Sequence, residues 1–396
     1  MNSHRPRVAI ISDSRRQDAI AQALYLLGDH WPAVPATGTI LKPNLVSHTD
    51  LRASTHPITL GAVADFLYSK GAQELTIAEG ASDATAGFRN LGHSRMFWKR
   101  PVNWFDVNKD ENRWLNLELL GTNGTYRDTR LSQTLSESQL FVSVAQAKTH
   151  VNTMLTASMK NLMSCIHPQD RIHMHGYTSG SNGHKGFKGR IVNWLKGESS
   201  AVAWATTLIG RTKQIALFGQ KLAGRLNWDS LSDSQKEFCK SIAVMHRNLV
   251  SLNQAVGPKL AIVDGFSGMD GEGPRLGRSR NFGWVVAGND PVSVDSVVAR
   301  LMGLPVDQIG YLVLAEQAGL GCLSLDRIEI VGDSLEDVSG RCRVHSHSPL
   351  QKFWKTSLDK VIMTSSTGLL AGPHQGGFLG HPLGIDGPSA TCSSSG

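Results

Sequence analysis

An α/β architecture, doubly wound around a mainly parallel sheet in two lobes and carrying a helical basic insertion, is predicted by three observations. Short apolar, β-branched runs bounded by turn residues recur at Arg7–Ser12, Gly38–Val46, Glu74–Gly80, Gln139–Gln146, Lys259–Gly265, Phe282–Asn289 and Ile328–Asp333. Several of them (VAII, LFVSV, LAIV, WVV) are apolar on both alternations, as strands covered on both faces must be. Helical stretches separate many of them, and strand–helix–strand repetition gives a doubly wound sheet.

The helices announce their own ends. Thr55 can cap a helix that has Pro57 in its first turn, continues as TLGAVADFLYSK and stops at Gly71. Asn289-Asp290-Pro291 starts a second, VSVDSVVARLMG. The alternation breaks between His167 and His246, first in the loop HPQDRIHMHGYTSGSNGHKGFKG and then in a helical segment containing Trp194, Trp204, Phe218 and Trp228. Ser234 and Glu237 can form a capping box for the helix leading to His246. The chain therefore divides into a first α/β lobe over 1–166, a His/Gly-rich loop and helical basic insertion, or lid, over 167–245, a second α/β part over 246–345, and a tail over 346–396. That tail is expected to be peripheral and partly disordered. The part of the insertion from 186 to 245 is expected to pack over or beside the site with its tryptophans inward.

Composition narrows the function classes. Of 396 residues 40% are hydrophobic and 18% charged, a globular balance too apolar for general disorder. The net charge of +7 is concentrated: between Gly186 and Leu226, seven Lys and Arg side chains face Glu198 alone. The remainder is near neutral, which argues against a nucleic-acid protein built on a broad basic face. The five cysteines (Cys165, Cys239, Cys322, Cys342, Cys392) are scattered without a CxxC pair, so no local ligand set for a zinc ribbon or an iron–sulfur cluster exists. An odd, scattered set is also unlike a secreted disulfide framework, and the start MNSHRPRVAIISDS lacks an apolar signal core. A cytoplasmic location is expected.

Ligands of open α/β sheets gather beyond the carboxyl ends of the strands. There the sequence places Lys42 and Asn44 after the second run, Glu79 after the third, Lys148 and His150 after the fourth, and Asp264 followed by a Gly-rich stretch with Asp270 and Glu272 after the fifth. Each alone is an ordinary loop residue; polar, catalysis-competent side chains after four successive strands are harder to dismiss.

Lys160 is the most informative position. VNTMLTASMKNLMSCI holds no other charge and has the spacing of a buried or half-buried helix, so its ammonium must find an anion or lose its proton. The bland alternative is a lysine that snorkels or pairs with a structural carboxylate. Asp295 shares a helix face with Val292, Val298, Ala299 and Met302 and needs a cation, Lys148 or Lys160, or a metal; a purely structural ion pair answers the same need. His167, His173, His175 and His184 cluster in a loop, and an HxH pair beside carboxylates suits a divalent transition metal, although HxH carries little information. DGFSGMDGEGPRLG is neither a GxGxxG nor a Walker A sequence, and its acidic pair would repel phosphate unless a cation intervened.

Taken together, LKPNLV, STHPITLGAVADFLYSKGAQELTIAEG, AKTHVNTMLTASMKNLM, and IVDGFSGMDGEGPRLG followed by NDPVSVDSVVARLMGL resemble the family catalogued as domain of unknown function 362, from about Ile40 to Asp333. Many of its members carry or accompany ferredoxin-like iron–sulfur modules; this chain departs from that pattern, so no intrinsic cluster is expected. At fold level there is a weaker similarity to nickel-dependent lactate-racemase-like proteins, by analogy only.

The leading expectation is a metal-dependent enzyme acting on a small anionic substrate, a carboxylate or phosphate. Lys148, His150, Lys160, Glu79 and Asp295 would be catalytic, and Lys42, Asn44, Asn161 and Gly273 would bind substrate. His173, His175, Asp264 and Glu272 would hold the metal. The alternative is a non-catalytic protein that docks a cofactor or redox partner through the basic insertion. Contact of 186–228 with a membrane surface is a further, less favoured reading.

Overall fold

A computed structural model describes residues 5–13, 15–97, 99–111, 113–178 and 226–368. Twelve strands are present among them: β1 (Arg7–Ser12), β2 (Thr39–Pro43), β3 (Leu75–Glu79), β4 (Val102–Asp106), β5 (Trp114–Leu120), β6 (Tyr126–Ser132), β7 (Leu140–His150), β8 (Met154–Thr156), β9 (Leu260–Asp270), β10 (Arg278–Arg280), β11 (Trp284–Gly288) and β12 (Glu329–Gly332). All seven runs read from the sequence are strands. Eight strands follow the order β12-β1-β11-β9-β7-β2-β3-β4, with β10 and β8 attached to β9 and β7, while β5 and β6 form a separate hairpin. Neighbours along this path are parallel except where β11 runs between β1 and β9. The fold is thus α/β with a mixed, mainly parallel sheet.

Strands assigned to two lobes lie in one sheet: β1 pairs with β11 and β12, and β7 pairs with β9. Alternation along these strands feeds two cores. Ala9, Ile11, Leu41, Val142, Val144 and Ile262 point to the helices Arg16–Leu26 and Pro57–Ser69. Val8, Ile10, Ile40, Phe141, Ala145 and Val263 point to Asp233–Val256, Pro291–Leu301 and Gly310–Gln317. Each fully buried aliphatic side chain adds roughly 1.5–3 kcal/mol of transfer free energy, so both faces are committed to burial.

The caps explain the helix limits. His56, not Thr55, caps Pro57–Ser69, its Nδ1 accepting from Ile58 N–H at 3.2 Å. Asp290 caps Pro291–Leu301 through the N–H groups of Val292 (2.8 Å) and Ser293 (3.2 Å). The capping box of Asp233–Val256 is Ser232 with Gln235, two residues before the expected pair. This helix also runs across the expected boundary at 245/246.

Two further expectations are corrected. VNTMLTASMKNLMSCI is not one helix: it forms β8 and then a short 3-10 helix, Lys160–Cys165. The segment 346–368 is not peripheral, because Leu350, Trp354, Leu358 and Val361 are buried in the larger core. Of the expected insertion, 179–225 lies outside the described residues, as do Cys392 and the rest of 369–396. No helix among the described residues is long and apolar enough to cross a membrane.

Candidate functional site

β2, β3 and β7 end side by side, and their last residues build a buried polar network. Lys42 Nζ lies 3.0 Å from Glu79 Oε1, with both side chains fully buried. The same ammonium donates to Pro43 O (3.0 Å) and Asn161 Oδ1 (3.4 Å). Glu79 also accepts from the N–H groups of Gly80 (2.7 Å), Ala81 (2.9 Å) and Leu45 (2.9 Å), and from the Ser164 hydroxyl. Burial works to raise its carboxyl; Lys42 and these hydrogen bonds outweigh it and hold the group below the ordinary value. Asn161 closes the network, donating to Lys42 O (2.9 Å) and Ser143 Oγ (3.1 Å) while Asn44 Nδ2 donates to its Oδ1 at 3.1 Å.

Lys148 joins through Asn44 Oδ1 at 2.5 Å and Ala53 O at 2.8 Å, and among the described residues no carboxylate pairs with it. Burial, then the neighbouring Lys160 ammonium, pulls Lys148 down to about 7 against the opposing pull of Glu79 and Asp50. A bulge between Gln146 and Lys148 breaks the strand alternation here. Gly273 packs on the same strand end: a Cβ at this position would stand 2.1 Å from Thr149 O, so only glycine fits.

Lys160 is different. It is 7% exposed; among the described residues it forms no salt bridge, and its hydrogen bond runs to Met163 Sδ, at 2.8 Å. The pairing with Asp295 anticipated from the sequence does not occur, and neither Glu79 nor Asp264 takes its place. Burial alone pulls this ammonium down to about 7. Three imidazoles feel its charge. His150 lies well below the ordinary value, through burial and then Lys160, and accepts at Nδ1 from Asn152 N–H at 3.0 Å. His175 and His246 are both pushed to about 3, by burial and then by Lys160. Neither ring nitrogen of His175 has a hydrogen-bond partner, nor does His246 Nε2, whereas His246 Nδ1 accepts from Tyr311 N–H at 3.0 Å. Two lysines near 7 and the neutral imidazoles that feel Lys160 make a cationic cluster in which, among the described residues, no carboxylate pairs with either ammonium.

Asp295 holds the loop that carries Lys160 but not Lys160 itself. Its carboxylate accepts from Ser158 N–H (2.8 Å), Ser158 Oγ–H (2.5 Å), Met159 N–H (3.1 Å) and the Tyr311 hydroxyl (3.3 Å). The expected cation is replaced by four donors, and burial, opposed by these bonds, raises the group to about 6. Asn253 holds the other side of the loop, donating to Met159 O at 3.0 Å.

The proposed metal set is not brought together. Asp264 is bound to Thr59 Oγ1 (2.5 Å) and Arg16 Nε (3.2 Å), from the helices covering one face of the sheet. Glu272 accepts from Ser346 Oγ (2.7 Å) and faces His345 Nε2 at 3.3 Å. His173 lies beside Thr129 Oγ1 at 3.0 Å. Among the described residues no three His, Cys, Asp or Glu side chains come together as metal ligands would. The four described cysteines are free.

Sequence reasoning missed Ser164, His246 and Asn253. Ser164 sits one helical turn after Lys160 and could have been found there; His246, mid-helix, and Asn253, in the last turn of the same helix, are far along the chain and carry no local signal. A model of the family described as Domain of unknown function (DUF362) matches residues 39–300, which contain this network and the Lys160 group. No curated protein matches the chain. Among solved structures it is similar to the lactate racemase apoprotein from Thermoanaerobacterium thermosaccharolyticum, at 14% identity and a TM-score of 0.37. That likeness covers 67% of this chain and 51% of the other, so the chain spans about half the length of that protein.

Proposed function

The chain belongs to the family of the Domain of unknown function (DUF362), and from that premise we propose that it is an enzyme that binds a small carboxylate or phosphate between Lys148 and Lys160 and moves a proton there. The observation that carries this reading is Lys160: an ammonium 7% exposed, without a carboxylate, beside a histidine whose two ring nitrogens have no partner. A buried cation left unpaired is costly, and a bound anion removes that cost. Lys148, fixed by two acceptors, orients the anion. Lys160, near 7, exists in both protonation states at neutral pH and can give or take a proton. Lys42, Glu79, Asn44 and Asn161 position the strand ends, and Asp295 positions the Lys160 loop.

Of the residues expected to hold a metal, His173, Asp264 and Glu272 have other partners, and among the described residues His175 is not joined by two further ligands, so the proton transfer rests on the lysines alone. Docking of a redox or cofactor partner through the basic insertion concerns a segment of which 179–225 lies outside the described residues. Calorimetric titration of wild type and Lys160→Met with inorganic phosphate and with acetate tests the proposal. Wild type should bind at least one anion, and the variant, folded by circular dichroism, should lose at least about a hundredfold in affinity, the scale of one charge-assisted contact of roughly 1.5–3 kcal/mol and more. Equal binding by both proteins, or none by wild type, sinks it.

A further inference from the structure

Among the described residues, two other than glycine take left-handed backbone: Met154, at φ +61°, and Ser82, at φ +55°. Met154 is buried at the start of β8, where the chain turns back on β7. Ser82 is exposed, in the turn that joins β3 to the helix Ala84–Asn90. A serine in this conformation costs free energy that a glycine would not, and such strain persists only where the surroundings fix the backbone.

The surroundings do so residue by residue. Glu79 Oε1 holds the N–H groups of Gly80 (2.7 Å) and Ala81 (2.9 Å). Asn108 Nδ2 donates to Ser82 O at 3.1 Å, and Arg171 holds that asparagine in turn, donating to its Oδ1 at 2.9 Å. Asp83 Oδ1 accepts from Ala86 N–H at 2.9 Å. A Cβ at position 80 would stand 2.5 Å from Ser164 O, and Ala84 is fully buried. Gly80-Ala81-Ser82-Asp83-Ala84 thus has small residues where a nucleophile elbow needs them, and an exposed, strained serine at the tip of a strand–turn–helix corner.

The hydroxyl meets an imidazole: His48 Nδ1 lies 2.8 Å from Ser82 Oγ. His48 is half-buried in the loop after β2, which Ser47 ties down. Ser47 Oγ accepts from Asp50 N–H at 3.0 Å, and its carbonyl accepts from the Ser54 hydroxyl at 3.0 Å. Asn90, at the far end of the helix that follows the serine, donates to His48 O at 3.3 Å. A link between two loops already fixed in this way needs no strained serine.

We propose that Ser82 and His48 are a nucleophile and its base, and that they transfer small acyl groups from activated esters. In the reactive form the ring carries its proton on Nε2, so the hydroxyl donates to Nδ1. Oγ adds to the carbonyl carbon as its proton passes to Nδ1; the bond to the leaving oxygen breaks, and that oxygen takes the proton. Water then attacks the acyl-serine and gives a proton to the same nitrogen. The bond from the acyl carbon to Oγ breaks, Ser82 is reprotonated, and a carboxylic acid leaves. A phosphoryl donor suits the turn less. Exposed Asp83 follows the serine, and among the described residues no Lys or Arg side chain is bonded to Ser82 or His48.

The probe is p-nitrophenyl acetate, with the full chain. Wild type should be acetylated at Ser82 as a hydroxylamine-labile ester, located by peptide mass spectrometry. Ser82→Gly relieves the strain and should melt no lower than wild type, yet lose the label. His48→Gln can still accept the hydrogen bond but takes no proton, and should slow labelling at least tenfold. Ser82→Gly should bind phosphate and acetate as wild type does, so this pair can fail while the lysine site stands, and the reverse. The proposal is overturned by no acetylation, by acetylation confined to lysines as hydroxylamine-stable amides, by equal rates in His48→Gln, or by turnover of p-nitrophenyl phosphate instead.

Discussion

Lys42 and Lys160 are both buried lysines beside Asn161, yet their surroundings are opposite. Lys42 has a carboxylate at 3.0 Å and two further acceptors, and its partner Glu79 is itself met by three backbone N–H groups and a hydroxyl. Lys160 has a thioether and a ring of neutral imidazoles. A satisfied buried network fixes geometry and leaves nothing for a ligand to gain. An unsatisfied one costs stability in the empty protein and returns it on binding. The contrast separates scaffold from site within a few residues, and it yields tests of graded size.

Breaking the scaffold should be the largest effect. Glu79→Ala leaves Lys42 as an unpaired buried charge and strands the N–H groups of Leu45, Gly80 and Ala81. A loss of about 3–5 kcal/mol in urea unfolding is expected. A loss under about 1 kcal/mol would mean that water reaches Lys42 and that the two lysines differ less than drawn here.

Asp295→Asn comes next. The amide NH₂ would face donors now met by carboxylate oxygen, leaving at least one of Ser158 N–H, Met159 N–H or the Tyr311 hydroxyl without an acceptor. About 1–3 kcal/mol should be lost. Because the Lys160 loop hangs on these bonds, phosphate or acetate affinity should fall as well. Lost stability with unchanged affinity would show that Asp295 does not position Lys160.

Much of this arrangement was legible. Lys42, Asn44, Glu79 and Lys148 follow from the rule that ligands lie beyond parallel strand ends, and the strands themselves from doubly apolar runs. The charge isolation of Lys160 was visible as a single charged residue in sixteen. What the sequence could not supply was which face a strand-end side chain takes. Asp264 ends its run as expected but is captured by Thr59 and Arg16 from the helices over one face. The bulge before Lys148 shifts the alternation that would otherwise set its direction. Asp295 failed for another reason: ten of the eleven residues in its helix are buried, so the apolar stripe invoked for it is no stripe, and backbone donors replaced the cation. The β5–β6 hairpin was missed although Asn123-Gly124 marks its turn.

Removing Lys160 should move stability least at neutral pH and ligand binding most, the reverse of Glu79→Ala. Lys160→Met keeps the stem and removes a charge that nothing in the empty protein compensates. Its unfolding free energy should equal or slightly exceed that of wild type near pH 7, where wild-type Lys160 is half protonated. A large loss would mean that Lys160 is structural.

The smallest effect is a slope, and it reports on Lys148 and Lys160 without any ligand. Both are pulled from 10.5 to about 7 in the folded protein, while the unfolded chain keeps these protons to its ordinary value. Above about pH 7 the unfolded state therefore binds more protons, and stability rises with pH by up to about 1.4 kcal/mol per unit for each lysine. Below that pH both states are protonated and this contribution to the slope vanishes. The buried thiols Cys165 and Cys239, pushed up to about 12, act in the opposite sense once unfolded cysteines ionise near 9, so the window closes at about pH 8.5. Urea titrations at about pH 7 and about pH 8.5 should show wild type gaining stability and Lys160→Met gaining at most half as much, since losing the Lys160 ammonium also relieves Lys148. Saturating phosphate or acetate, by pairing with the ammonium and raising its pKa, should flatten the wild-type slope over the same range. An unchanged slope in the variant would place the Lys160 ammonium in water, and with it would go the distinction between the two buried lysines.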